Sequence, residues 1–228
     1  MYICNMIAVL SADLLSSTSY SSKLLERVIN VLNKEFRKLE KLTEPTSEFR
    51  IYRGDSFQGI VYEPEKALLF ALRIKTAINR LHLNDLESNR AFKREADLRM
   101  AIGIGTYDFK RDSILESNGQ AFQFSGRSLD EIKKDNRKLK LKTPQEDVNN
   151  EFDASFFLFD TLSDKWSTAS AEVIYYLLQG FKETEIATEL GISQSAVNQR
   201  KKAAGWDAIE ALLLRYKTVM NQHFANGK

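Results

Sequence analysis

Phe49-Arg50-Ile51-Tyr52-Arg53-Gly54-Asp55-Ser56-Phe57-Gln58-Gly59-Ile60-Val61-Tyr62 reads as a β-hairpin. Aromatic and β-branched runs at 49–52 and 57–62 flank Arg53-Gly54-Asp55-Ser56, a polar turn in which Gly54 can adopt the backbone a tight reversal needs. On the N-terminal side, residues 3–10 form a short apolar run that suits a buried strand. Residues 21–39 then place Leu24, Leu25, Val28, Val31, Leu32 and Phe36 at helical spacing, and a polar break at 43–47 contains Pro45. On the C-terminal side, Pro64 opens a helix running to about Leu81, as a first-turn proline can, and 98–104 is a further strand. The order is β-α-β-β-α-β, so the fold class is α+β with a ferredoxin-like N-terminal part. A loop around 107–118 and a helix at 121–134 follow.

Residues 135–150 are rich in Lys, Asp, Asn and Gln and include Pro144, which marks a linker. The expected division is an α+β domain at 1–140, a linker at 141–152 and an all-α domain at 153–228. Within the last, 181–200 reads as a helix-turn-helix. Ile186, Ala187 and Leu190 form an apolar face, Gly191 can stop the first helix in the left-handed conformation, and Ser193 can cap the second. Val197 packs inward while Ser193, Gln194, Ser195, Asn198 and Gln199 face outward to base edges, and Arg200, Lys201 and Lys202 can reach phosphates. Duplex DNA is the expected partner, although two amphipathic helices joined by a Gly turn also occur in ordinary all-α domains. Glu172, Glu183, Glu185 and Glu189 weaken the local positive field, so one copy should bind DNA weakly. Gly205-Trp206-Asp207 should end the second helix, with Trp206 anchored against a terminal helix. The stripe Leu212, Leu213, Tyr216, Val219 and Met220 completes the small domain or forms a dimer seam.

Composition excludes several classes. A net charge of +2 leaves no strongly basic arm, and one cysteine, Cys4, excludes an internal disulfide framework and fits a reducing, cytoplasmic setting. Cys4 lies in an apolar run and is expected to be a buried small side chain. With only His82 and His223, no Cys/His zinc cluster exists. Residues 1–10 are too short to span a bilayer and lack a basic leader. Gly103-Ile104-Gly105 lacks the spacing of a dinucleotide fingerprint, and no P-loop is present. Phe122, Phe124, Phe156, Phe157 and Phe159 are expected in the core.

Topology gives two acidic residues a meaning. Asp13 follows the first strand and Asp55 sits in the hairpin. In this order of elements the first and third strands are antiparallel neighbours, so both carboxylates meet at one sheet edge. Such a pair suits Mg²⁺ or Mn²⁺, which take oxygen ligands and leave positions for phosphate. The plainer alternative is that Asp13 caps the first helix and Asp55 merely serves the turn.

The segments 11–18, 52–57 and 98–105 resemble the catalytic core of class III nucleotidyl cyclases. The whole chain, including 116–122 and 193–197, is similar to the bacterial SatD-like family, which joins such a region to a C-terminal helix-turn-helix. The cyclase resemblance implies that Asp13 and Asp55 bind metal and that Arg127 is the transition-state arginine. Gln123 stands four residues before it, where an asparagine is usual. The purine-reading lysine falls on Ile51 and the acidic purine-reading position on Glu116, so base recognition is altered. Arg53 beside Asp55 is either a phosphate contact or that aspartate's charge partner.

Three functions follow. The first is a DNA-binding regulator whose cyclase-like part binds a nucleotide with metal. The second is a cyclase or related transferase of non-standard base specificity. The third is a non-catalytic protein-interaction module. Both cyclase sites and helix-turn-helix proteins favour a homodimer.

Overall fold

A computed structural model describes residues 6–52, 54–82, 94–107 and 118–224. Five strands form one sheet in the order β2-β3-β1-β4-β5: β1 (Met6–Leu14), β2 (Glu48–Tyr52), β3 (Ser56–Val61), β4 (Leu98–Thr106) and β5 (Leu139–Lys142). β1 is antiparallel to both β3 and β4, with Asp13 opposite Ser56 on one side and Arg99 on the other. β5 joins β4 in parallel through the crossover helix α3 (Gln120–Lys134).

Helices cover both faces of the sheet, which explains the run of apolar residues in β1 without alternation. Ala8, Leu10, Ala12 and Leu14 enter the main core with α1 (Ser22–Glu40) and α2 (Ala67–Asn79), whereas Ile7 and Val9 pack with Ala121 and Phe122 of α3. Gly103 allows α3 to lie directly on β4. A Cβ there would stand 2.2 Å from the Ala121 carbonyl oxygen and 2.5 Å from the Ser125 nitrogen. That contact gives Gly103 a structural role.

The C-terminal helices are α4 (Glu146–Ser163), α5 (Thr168–Leu177), α6 (Glu183–Leu190), α7 (Gln194–Ala203) and α8 (Trp206–Phe224). The expected linker at 141–152 is instead the end of β5 and the first two turns of α4. Leu139 and Leu141 are buried, while Lys140 and Lys142 pair with Glu131 and Glu146, so an alternating strand lies inside a lysine-rich stretch. Asp13 does not cap α1, because it lies within β1; Ser21 caps that helix by accepting from the Leu24 amide at 3.2 Å.

Of the stripe on α8, Leu212 and Leu213 are half-buried and the other three residues are buried within the chain. Tyr216, Val219 and Met220 lie in the main core, and the Tyr216 hydroxyl donates to the Pro64 carbonyl at 3.1 Å. Trp206 begins α8, after Gly205 reverses the chain at φ +72°. Phe157 is corrected from core to surface at 55% exposure, beside the Arg137 guanidinium, while Phe122, Phe156 and Phe159 are buried. Among the described residues, no helix is long and apolar enough to cross a membrane. Cys4 lies outside the described residues.

Candidate functional site

The end of β1 and the β2–β3 turn meet where the strand pairing requires. The Leu14 amide donates to the Asp55 carbonyl at 2.9 Å, which fixes the turn against β1. Gly54 takes φ +75° in that turn, a conformation costly for other residues. The Ser56 hydroxyl lies 3.2 Å from Oδ1 of Asp13 and 3.2 Å from Oδ1 of Asp55. One hydroxyl has one proton and can donate to only one of the two at a time. The second oxygen of Asp55 accepts from Ser17 Oγ at 2.7 Å.

Two cations attend Asp13. Lys133 Nζ of α3 stands 3.5 Å from its Oδ2 and Arg99 Nε of β4 stands 3.7 Å away. The Arg99 Nε is buried and, among the described residues, makes no hydrogen bond. Lys133 also lies 3.8 Å from Asp130, so a second carboxylate can receive it if Asp13 is taken by another cation. Lys133 and Arg99 were not evident from sequence. Arg99 arrives through a cross-strand register, and Lys133 through the seating of α3.

The donor set fits a hard divalent ion. It consists of two carboxylates with serine hydroxyls beside them, and Mg²⁺ is commonly held by one or two carboxylates plus phosphate and water. Among the described residues no group of three or more His, Cys, Asp or Glu could hold a metal. Phosphate oxygens or water would therefore supply the remaining ligands.

Among the described residues, Gln123 and Arg127 make no hydrogen bond or ion pair with Asp13 or Asp55. Gln123 and Arg127 are exposed on α3, and Arg127 lines a polar groove of about 380 Å³ between α3, β5 and α4. Ile51 is half-buried against the core and pairs with Phe57, so an apolar side chain occupies the position the resemblance assigns to a base-reading lysine. Arg53 and Glu116 lie outside the described residues.

At the C-terminal end, α5, α6 and α7 enclose a small core of Val173, Ile186 and Val197. Gly191 ends α6 at φ +63°, and Ser193 caps α7 by accepting from the Ala196 amide at 3.2 Å. Gln194, Ser195, Gln199 and Lys202 are exposed on α7. Two of the expected DNA contacts are held internally. Glu183 accepts from Lys201 at 3.0 Å and from Asn198 at 3.4 Å, and the Lys201 bond holds its carboxyl below the usual range.

No known protein family matches the chain, and no curated protein matches it in sequence. Solved structures do show similarity. An adenylate cyclase from Trypanosoma brucei in its monomeric state aligns at 15% identity over 56% of this chain and 68% of its own, with a TM-score of 0.43. The active GGEEF domain of a diguanylate cyclase from Vibrio cholerae aligns at 13% identity over 62% and 84%, with a TM-score of 0.40. A bacterial light-regulated adenylyl cyclase aligns at 12% identity over 60% and 74%, with a TM-score of 0.39. Likenesses this distant carry no information about substrate or chemistry in this chain.

Proposed function

We propose that the chain binds a nucleoside triphosphate with Mg²⁺ or Mn²⁺ at the Asp13–Asp55 edge, in a site of the class III nucleotidyl cyclase type. The observation that supports this reading is the approach of both carboxylates to the single Ser56 hydroxyl, 3.2 Å from each. Two anions sharing one donor proton make a favourable place for a cation, and the bound cation offsets repulsion between the carboxylates and a triphosphate. Asp13 and Asp55 would hold the metal, Ser17 and Ser56 would orient the carboxylates, and Lys133 would move to Asp130. Arg99, whose Nε stands 3.7 Å from Asp13, would hold that carboxylate in place from the β4 side. Ile51 offers no hydrogen bond to a base, so the reading excludes a lysine-type adenine contact there. Arg127 and Gln123 are exposed on α3, which suits action on the site of a second copy and favours a homodimer.

The test is a thermal-shift panel with the four nucleoside triphosphates, each with Mg²⁺, Mn²⁺ or EDTA. A ligand at about 100 times its dissociation constant adds about 2.7 kcal/mol. The expected result is a shift of that order that needs metal and vanishes in Asp13→Asn/Asp55→Asn. No metal-dependent shift with any nucleotide defeats the reading.

A second reading concerns α7. Its exposed Gln194, Ser195, Gln199 and Lys202, on a capped helix packed through Val197, support a helix-turn-helix that docks on duplex DNA as in a SatD-like regulator. Gln199→Ala/Arg200→Ala/Lys202→Ala should weaken duplex retention by about tenfold or more and flatten its salt dependence. Unchanged retention would point to a protein partner for this face.

A further inference from the structure

A second polar site lies away from the carboxylates, at the seam where α1 and α2 meet α5. A cavity of about 230 Å³ there is lined by Lys34, Glu35, Arg37 and Lys38 of α1, by Arg80 just after α2, and by Tyr175 of α5. Four cationic side chains thus surround one carboxylate, and that carboxylate is already committed. Glu35 accepts from Arg73 Nε at 2.8 Å on one oxygen and from the Tyr175 hydroxyl at 2.7 Å on the other. Lys38 donates to the Tyr175 oxygen at 2.9 Å. Among the described residues, Lys34, Arg37 and Arg80 form no ion pair. Arg80 lies with its guanidinium carbon 3.9 Å from the centre of the Tyr175 ring. A stacked guanidinium uses its face and leaves its N–H edge to an anion.

The structure assigns this cavity as a binding site for a phosphate-bearing anion, with Lys34, Arg37 and Arg80 as its ligands and Tyr175 as its wall. Unpaired like charges at close quarters repel one another, and an anion relieves that repulsion for all of them at once. Phosphate is the chemistry that matches, because its oxygens accept from guanidinium edges in pairs and from an ammonium as a point charge. The phosphate comes either from a small polyphosphate compound or from a nucleic-acid backbone. In either case it touches α1 and α2 on one side and the first helix of the α5–α7 unit on the other.

The experiment is calorimetric titration of the full chain with tripolyphosphate at low salt, with EDTA present so that the carboxylate edge holds no metal. The expected result is saturable binding that weakens about tenfold or more in Lys34→Gln/Arg37→Gln, a factor of ten being about 1.4 kcal/mol. Both residues are exposed and unpaired, so the variant keeps the fold. Asp13→Asn/Asp55→Asn should bind tripolyphosphate as the parent does, which separates this site from the nucleotide edge. No saturable binding to the parent at millimolar tripolyphosphate, or equal affinity in the glutamine variant, overturns the assignment. A mixed-sequence duplex in a parallel arm identifies the source. Loss of duplex retention in the glutamine variant assigns the phosphate to nucleic acid, and retention unchanged beside lost tripolyphosphate binding assigns it to a small molecule.

Discussion

Arg73→Met should lower the unfolding free energy by about 3–5 kcal/mol, the cost of leaving a buried charge without its partner. Glu35 has only 2% of its side chain exposed and receives two contacts from Arg73, Nε at 2.8 Å and a terminal nitrogen at 2.6 Å. Without Arg73, its remaining support is the Tyr175 hydroxyl at 2.7 Å and the Lys38 ammonium at 3.9 Å. Burial, followed by the hydrogen bond to Glu35, pushes the Tyr175 hydroxyl pKa up, so Tyr175 stays protonated and continues to donate. Urea denaturation of Arg73→Met, Glu35→Gln and the double variant would give the coupling between the two. The double variant should be much less destabilised than the sum of the singles, because removing both charges leaves neither one stranded. An Arg73→Met protein within about 1 kcal/mol of the parent would show that this pair contributes little.

Asp97→Asn should have a comparable effect, about 3 kcal/mol at neutral pH, and a distinctive dependence on acid. Asp97 accepts from Lys75 at 2.6 Å and Asn79 at 2.9 Å on one oxygen, and lies 3.2 Å from both Arg94 and Lys138 on the other. Burial alone would raise the pKa of this carboxyl. Lys75, Arg94 and Lys138 outweigh that effect and hold it far below the usual carboxylate range. A pKa depressed in the folded state adds stability that is complete above the unfolded value of about 3.9 and is lost as pH falls below it. The gap in urea midpoint between parent and Asp97→Asn should therefore be wide at pH 7 and narrow steadily below about pH 4. A gap independent of pH would mean that packing, and not this charge, sets the difference.

Much of the sheet was legible in the sequence because its signals are local. The hairpin turn at Gly54-Asp55 and the helical spacing in α1 each announce themselves within a few residues. From the hairpin and the order of elements, the meeting of Asp13 and Asp55 followed by topology alone. β5 was hidden for a physical reason. Its four residues alternate Leu and Lys, but the lysines sit among other charged residues, so the stretch reads as solvated linker, whereas in the fold Glu131 and Glu146 neutralise Lys140 and Lys142. Lys133 and Arg99 were illegible because their meeting with Asp13 depends on sheet register and on the close seating of α3. The same holds for Glu183, whose hold on Asn198 and Lys201 withdraws two side chains that sequence spacing alone had turned outward.

One helix belongs to two cores. Ala171 and Ile174 of α5 lie in the main core with the sheet, whereas Val173 closes the small core with Ile186 and Val197. The α6–α7 pair is therefore mounted on the sheet like a fixed jaw and does not hang from a tether. Its orientation relative to the Asp13–Asp55 edge is set by packed side chains at both ends, by α5 and by Ala204 just after α7, which is buried in the main core and accepts from Trp166 Nε1 at 2.9 Å, so α7 and the carboxylate edge move as one piece.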